Sequence, residues 1–329
     1  MENKLLITSS PHIKTPLTTT KIMLYVCLAL VPALLASAYV FGLRVLLILF
    51  VTVSTCVLSE YICRKVMKRD NTIGDLSAVV TGMLLTCSYP VSIPLFIAAF
   101  GAVVAIVVVK QMFGGIGDNF VNPAIAARIV LVISFPAQMS NWSWTAPDSA
   151  YDALTGATPL QIINSAAAGE LPSYTQMLFG IRGGSVGETC AVLLIAGGVF
   201  LIIAGIITPT IPVSYIGTVA LCSLILGYDV TYQVLGGALI LGAFFMATDY
   251  TTSPMTEKGK LIFGIGCGAL TALFRFAGGM AEGVSFAIIL MNILVPHIEK
   301  FTRPGKSKKG TPQKFAYTGR RKKEVDNGK

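Results

Sequence analysis

Long apolar runs alternate with short polar connections along almost the whole chain of 329 residues. A helix needs about 20 apolar residues to cross a bilayer, with a range of about 17–25. On this scale the pattern predicts ten transmembrane helices, at 22–40, 43–60, 76–90, 93–110, 123–137, 189–207, 211–227, 233–248, 261–275 and 284–298. The third, fifth and seventh are short or contain Gly, Pro or polar residues. The predicted fold class is therefore an all-α polytopic membrane protein.

The composition supports an integral membrane protein and argues against other classes. Hydrophobic residues make up 54% of the chain and charged residues 12%, against about 25% charged in a typical soluble domain. The net charge of +9 does not indicate nucleic-acid binding, because the basic residues cluster at the ends of apolar runs and in the last thirty residues. That distribution is typical of topology signals and of contact with membrane lipid. The seven cysteines have no metal-ligand spacing and are interpreted as packing residues.

The distribution of Lys and Arg predicts the orientation of the helices. Cytoplasmic connections are enriched in these residues. With the N-terminus inside, the basic clusters at 64–69 and 300–329 both face the cytoplasm, and the outer connections keep three arginines. Both termini are therefore predicted to lie on the cytoplasmic side of the membrane, with segment 138–188 on the outer face.

Five predicted helices precede segment 138–188 and five follow it. A five-helix unit repeated in tandem must be inverted in the membrane, as in many transporters. We therefore expect two inverted five-helix repeats. The predicted organisation is a cytoplasmic N-terminal segment 1–21, a first half 22–137, an extracytoplasmic loop 138–188, a second half 189–299 and a basic cytoplasmic tail 300–329.

One polar stretch in the outer loop, YDALTGATPLQ at 151–161, has two compatible interpretations. Its Thr-Pro-Leu-Gln end predicts a capping box, with Thr158 as the N-cap and Gln161 reaching back to it. The whole stretch also matches the Asp-x-x-Ser/Thr-Gly-Ala-Thr signature at which a flavin transferase joins FMN to threonine. A phosphoester on an N-cap oxygen places an anionic phosphate beside unpaired backbone N–H groups, where the helix dipole favours it.

Within this signature each residue has an expected part. Thr158 is the expected acceptor of FMN. Gly156 and Ala157 leave room for the transferase, and Thr155 fills the Ser/Thr position of the motif. Asp152 is expected to orient the acceptor or its metal during transfer.

Long stretches spread over nearly every helix carry a resemblance to a known family. They include DLSAVVTGMLL (75–85), KQMFGGIGDNFVNPA (110–124), DALTGATPL (152–160), GGALILGAFFMATDYTTSP (236–254) and MNILVP (291–296). With these stretches the chain resembles the NqrB/RnfD family, whose members belong to the sodium-pumping NADH:quinone reductase and to the Rnf complex. It departs from the family's common Asn-Pro-Phe-Asn-Pro, because Asn119 is followed by Phe120 and Val121 before Asn122-Pro123.

The resemblance, which is stronger to the RnfD members, implies a function and a set of partners. The implied function is that of a membrane subunit of a ferredoxin:NAD⁺ oxidoreductase that couples electron transfer to Na⁺ or H⁺ translocation. The implied cofactors are a covalent FMN on Thr158 and a noncovalent riboflavin held among the helices. The implied partners are Rnf subunits A, B, C, E and G, with electron exchange between the FMN of this chain and a threonine-linked FMN on RnfG.

Three further residues are candidates for cofactor binding. Asn122, with Pro123 after it, predicts a second N-cap in a loop that is either a helix-breaking connection or a flavin-facing or helix-packing loop. Arg128 lies inside the fifth predicted helix and must face protein or water, because hydrocarbon is costly for a charge. Asp249 stands among threonines, either as a cap in a hydrated turn or as a ligand for Na⁺ or for the polar groups of a flavin.

Arg275 is predicted to pair with Glu282 on the outer surface. No residue is predicted to act as an acid, base or nucleophile. The alternative function is a flavin-free solute channel or transporter, because inverted repeats also occur in that class.

Overall fold

The computed structural model describes residues 18–144, 154–155, 158–165, 171–180, 183–188, 190–278 and 283–302. The first half contains α1 (Thr19–Phe41), α2 (Arg44–Val66), α3 (Ser77–Cys87), α4 (Leu95–Gln111) and α5 (Pro123–Ser134). The second half contains α9 (Ala191–Ile203), α10 (Thr210–Ile225), α11 (Val230–Leu235), α12 (Leu239–Leu241, continued as a π-helix over Gly242–Met246), α13 (Glu257–Phe276) and α14 (Val284–Thr302).

Short elements connect the two halves. They are α6 (Pro136–Met139), α7 (Pro159–Ser165), α8 (Tyr174–Phe179) and a two-residue antiparallel pairing of strands β1 (Ser143–Trp144) and β2 (Leu154–Thr155). Two 3₁₀ turns, Ile73–Asp75 and Val186–Glu188, precede α3 and α9. The protein is thus almost entirely helical wherever the structure describes it.

Each of the ten predicted segments coincides with helical structure, but the helices differ in length. Among the described residues, α1, α2, α13 and α14 are long and apolar enough to cross a membrane, and α3, α4, α5, α9 and α10 are shorter apolar helices. The eighth predicted segment is broken rather than continuous. Gly236 and Gly237 separate α11 from α12, and Gly237 has a φ of +66° that a helix cannot contain. Ten membrane crossings and an inverted repeat therefore remain predictions.

The core is formed by helices of both halves. In it α1 packs on α9, α2 packs on α3 and α4, and α10 packs on α13. The side chains of Leu30, Ile48, Ile97 and Phe263 are fully buried there. Large apolar side chains also cover the outside of the long helices, for example Phe50, which is 73% exposed. Exposed apolar surface of this extent suits contact with lipid.

Two helices begin after a non-glycine residue in the left-handed region. Leu76, with a φ of +62°, precedes α3, and Ala238, with a φ of +55°, precedes α12. At the first of these starts, Oδ1 of Asp75 accepts hydrogen bonds from the backbone N–H of Ser77 at 2.9 Å and from its hydroxyl at 2.5 Å. The backbone therefore turns in a similar way before α3 and before α12. These two helices belong to the third predicted segment of the first half and of the second half.

Candidate functional site

Thr158 has the capping geometry that its sequence predicts. The N–H of Gln161 donates to Oγ1 of Thr158 at 3.3 Å, and the N–H of Thr158 donates to Oε1 of Gln161 at 2.9 Å. Pro159 is the first residue of α7. Thr158 is only 6% exposed, so its hydroxyl is buried as well as hydrogen-bonded. The capping box is confirmed, and a transferase could reach this oxygen only after the turn opens.

The other residues of the signature are only partly described. The backbone of Thr155 pairs with Ser143 in the short ladder, so the chain before Thr158 returns to the end of the segment after α6. Asp152, Gly156 and Ala157 lie outside the described residues. Their expected parts in flavin attachment therefore stay predictions.

Two tyrosine rings lie close to α7. Leu160 of α7 faces Gly236 at the end of α11, and the rings of Tyr174 in α8 and Tyr232 in α11 have their centres 5.3 Å apart. The hydroxyl of Tyr174 donates to Asp229 at 2.8 Å. This hydrogen bond lowers the pKa of the exposed Asp229 carboxyl and raises the pKa of Tyr174. Helix α7 is therefore held against a tyrosine-rich part of the second half.

Asn122 joins the two halves. Its Oδ1 accepts from the backbone N–H groups of Ala124 and Ile125 at 3.0 and 3.4 Å, which confirms the predicted N-cap of α5. Its Nδ2 donates to the carbonyl of Met246 at 3.3 Å. Arg128, one turn and a half further along α5, is 3% exposed. It therefore lies inside the protein, as expected for an arginine in this helix.

Asp249 lies at the end of the π-helical continuation of α12. Its Oδ2 accepts from the hydroxyls of Thr251 at 3.1 Å and Thr252 at 3.5 Å, whereas Thr248 donates back to the carbonyl of Phe244. Burial raises the pKa of the Asp249 carboxyl, and the hydrogen bonds from Thr251 and Thr252 partly oppose this effect. The carboxyl is therefore oriented by two of its threonine neighbours.

A central cavity of about 90 Å³ lies between the two halves. Its polar lining comes from both of them: Ser77, Thr81, Lys110, Asn119 and Asn122 from the first, and Thr248, Asp249 and Thr251 from the second. Asn119 is 8% exposed, and its Oδ1 has no hydrogen-bond partner among the described residues. The cavity brings Asn122 and Asp249 together. Neither Thr158 nor Arg128 lines it.

A buried ion pair adjoins this cavity. Nζ of Lys110 in α4 lies 2.9 Å from Oε2 of Glu60 in α2, and the two side chains are 1% and 0% exposed. Neither Lys110 nor Glu60 is among the candidate site residues predicted from the sequence. The available signal was a carboxylate inside an apolar run, since charges within membrane helices commonly mark functional sites.

The predicted surface position of Arg275 is wrong, whereas its predicted pairing with Glu282 stays a prediction. Arg275 is fully buried and donates to the carbonyl oxygens of Gln233 at 2.5 Å, Gly236 at 3.0 Å and Gly237 at 3.3 Å. The break between α11 and α12 frees these carbonyls, and a guanidinium can satisfy several of them at once. Glu282 lies outside the described residues.

Comparisons with known proteins agree with the resemblance seen in the sequence. The profile of the NQR2, RnfD, RnfE family matches residues 6–308. The chain is 44% identical to the D subunit of the Na⁺-translocating ferredoxin:NAD⁺ oxidoreductase complex of Acetobacterium woodii, over 92% of this chain and 95% of that protein. It is 41% identical to the D subunit of the proton-translocating ferredoxin:NAD⁺ oxidoreductase complex of Clostridium ljungdahlii, over 93% and 96%. It is 36% identical to the D subunit of the ion-translocating oxidoreductase complex of Stutzerimonas stutzeri, over 93% and 98%. The chain therefore belongs to the NQR2, RnfD, RnfE family.

Proposed function

We propose that this chain is the RnfD membrane subunit of an Rnf-type ferredoxin:NAD⁺ oxidoreductase and carries electrons whose transfer is coupled to Na⁺ or H⁺ translocation. The family match over residues 6–308 carries this proposal, because it spans both helical halves and the loop between them. Two relatives, at 44% and 41% identity, are both named as the D subunit of such a complex. Rnf subunits A, B, C, E and G are the proposed partners, in a prokaryotic inner membrane.

Thr158 is the proposed attachment point of a covalent FMN, which supplies one- or two-electron transfer when bound. The geometry of the turn supports this. Oγ1 of Thr158 is the N-cap oxygen of α7, where an attached phosphate would meet backbone N–H groups. Because the hydroxyl is buried, attachment would require an opening of the turn. The attached FMN would exchange electrons with the FMN of RnfG.

Flavin fluorescence of the denatured polypeptide tests the attachment. The wild-type chain, expressed with its transferase, should give a band that fluoresces under ultraviolet light, and Thr158→Ala should abolish it. Gln161→Ala is the matched control, because it removes the capping partner but keeps the acceptor hydroxyl, and it should retain fluorescence. A dark wild-type band would favour the flavin-free channel or transporter.

A noncovalent riboflavin is proposed for the central cavity. Polar groups from both halves line this cavity beside apolar side chains, a combination typical of small-molecule sites. Its volume of about 90 Å³ is below the range of about 300–1,000 Å³ of such sites, so riboflavin would bind only with a widening of the cavity. The Oδ1 of Asn119, which has no partner among the described residues, could accept a hydrogen bond from an N–H of a planar ring system. Extraction of the purified complex with acid, followed by chromatography, should release riboflavin in addition to the FMN that stays with the polypeptide.

Ten crossings in two inverted five-helix repeats are the proposed architecture. Several matching features of the two halves support it. The third helix of each half follows a left-handed residue, Leu76 or Ala238. The fourth helix of each half carries a buried basic side chain that reaches the start of that third helix, Lys110 to Ser77 and Arg275 to Gly237. Inversion would place these two arrangements on opposite sides of the membrane.

A further inference from the structure

An apolar groove of about 870 Å³, the α2 groove, runs along α2 between α1 and α3. Its walls include Leu46, Leu58 and Tyr61 of α2, together with Val31 of α1 and Met83 of α3. At 1.5 Å per residue, Leu46 and Tyr61 lie about 22 Å apart along the helix. One leaflet of a bilayer contributes about 15 Å of hydrocarbon. The α2 groove is therefore long enough to follow a lipid chain through a whole leaflet.

Basic side chains lie at one end of the α2 groove. Leu58, Tyr61 and Lys65 follow each other at spacings of three and four residues, so they share one face of α2. Nζ of Lys65 lies 5.9 Å from the centre of the Tyr61 ring, within the range of a cation–π contact. Lys65 and Lys68 are both exposed, and neither forms an ion pair with a described residue. Positive charge is therefore available where the groove meets the membrane surface.

The walls of the α2 groove favour a flexible chain over a helix of another subunit. Membrane helices approach each other closely through small residues such as Gly and Ala. Neither type occurs among the described residues that line the groove. Ser54 is the smallest of them, and its hydroxyl donates within α2, to the carbonyl of Phe50 at 2.6 Å. Branched and aromatic side chains on a concave surface instead fit hydrocarbon that can bend.

We propose that the α2 groove binds the acyl chains of a phospholipid with a net negative head group, whose phosphate contacts Lys65 and Lys68. Apolar contact alone does not distinguish anionic from neutral phospholipids, because their chains are alike. The lysines do, since each basic residue near the membrane surface contributes a preference of about fivefold for anionic lipid. The groove thus supplies the affinity and the two lysines supply the selectivity. This site does not depend on the proposed electron transfer.

Photocrosslinking from inside the groove identifies the occupant. Benzoylphenylalanine in place of Leu58 lies about 10 Å from Lys65 along α2, within the depth of one leaflet. The purified complex is reconstituted in vesicles of equal parts phosphatidylglycerol and phosphatidylcholine and irradiated, and the lipid joined to the α2 peptide is identified by its mass. Phosphatidylglycerol adducts should exceed phosphatidylcholine adducts by about tenfold. The same probe in place of Val213, which is 68% exposed on α10 and does not line the groove, should give nearly equal amounts.

Charge variants test the two lysines with the probe kept at Leu58. Lys65→Gln/Lys68→Gln should bring the ratio of the two lipids close to one, whereas Lys65→Arg/Lys68→Arg keeps the charge and should keep the preference. Both lysines are exposed, so these variants should assemble normally. Equal labelling by the two lipids without these substitutions, a ratio that the glutamines leave unchanged, and the absence of any lipid adduct would each overturn the proposal. Crosslinking to another subunit would also overturn it and would identify the groove as a helix interface.

Discussion

Glu60, Lys110 and Arg275 are each enclosed by protein, yet they differ in how their charges are balanced. Glu60 and Lys110 neutralise each other. Arg275 instead donates to the backbone carbonyls at the break between α11 and α12. At that position the side chain completes the hydrogen bonding of an interrupted helix, which in hydrocarbon would otherwise expose costly polar groups. Arg275 is therefore expected to be a structural residue.

Arg275→Met should lower the free energy of unfolding by on the order of 3 kcal/mol, because the buried carbonyls of Gln233, Gly236 and Gly237 lose their donor. Chemical denaturation in detergent micelles measures this change. Arg44→Met is the matched control, since Arg44 donates to the carbonyls of a partly exposed turn and should matter much less. Equal losses in the two variants would contradict this role of Arg275.

At the scale of elements, the contact between α1 and α9 depends on small residues. A Cβ added to Gly197 would lie 2.6 Å from the carbonyl oxygen of Ala29 and 3.2 Å from the ring of Phe245. Small residues allow helix backbones to approach closely in membranes, where no hydrophobic driving force between helices exists. Gly197 therefore sets the distance between the first helices of the two halves.

Gly197→Ala should lower the free energy of unfolding by about 1–3 kcal/mol, as expected for overpacking against a rigid backbone. Gly217→Ala in α10 is the control, because nothing lies within 4 Å of its added Cβ. That variant should be neutral or more stable by up to about 1 kcal/mol, the difference in helix propensity. Thermal unfolding of the two purified variants compares them directly, and a more stable Gly197→Ala would refute the close contact.

The features that the sequence predicts well here are those that depend only on residues nearby in the chain. The caps at Thr158 and Asn122 depend on residues two or three positions away, so the short pattern is sufficient. The burial of Arg275 and the pairing of Glu60 with Lys110 depend on which helices meet in space. Sequence separation in these contacts is 38–50 residues, and hydropathy alone does not contain it. For the same reason the hydropathy pattern located the eighth segment but did not predict the break between α11 and α12.

At the scale of the whole molecule, the candidate sites are separated. The central cavity and the Glu60–Lys110 ion pair lie next to the basic connection after α2, where Arg69 donates to the carbonyl of Gln111. The predicted topology assigns this connection to the cytoplasm. Thr158 belongs to the segment between the halves, which the same topology assigns to the outer face. The proposed function needs this separation, because an electron that moves between two flavins then crosses part of the membrane. The orientation of the chain is thus the feature on which the coupling depends.

Thiol labelling of intact cells tests that orientation. In a background without the seven native cysteines, Ser149→Cys, a position outside the described residues, should react with an impermeant maleimide added outside. Asp70→Cys, in the basic connection after α2, should react only after the inner face is exposed, since the positive-inside rule places that connection in the cytoplasm. The reverse pattern would invert the molecule and move Thr158 away from an outer partner. Labelling of both positions from outside would mean an even number of crossings between them instead of the expected three, and five-helix halves would then be excluded.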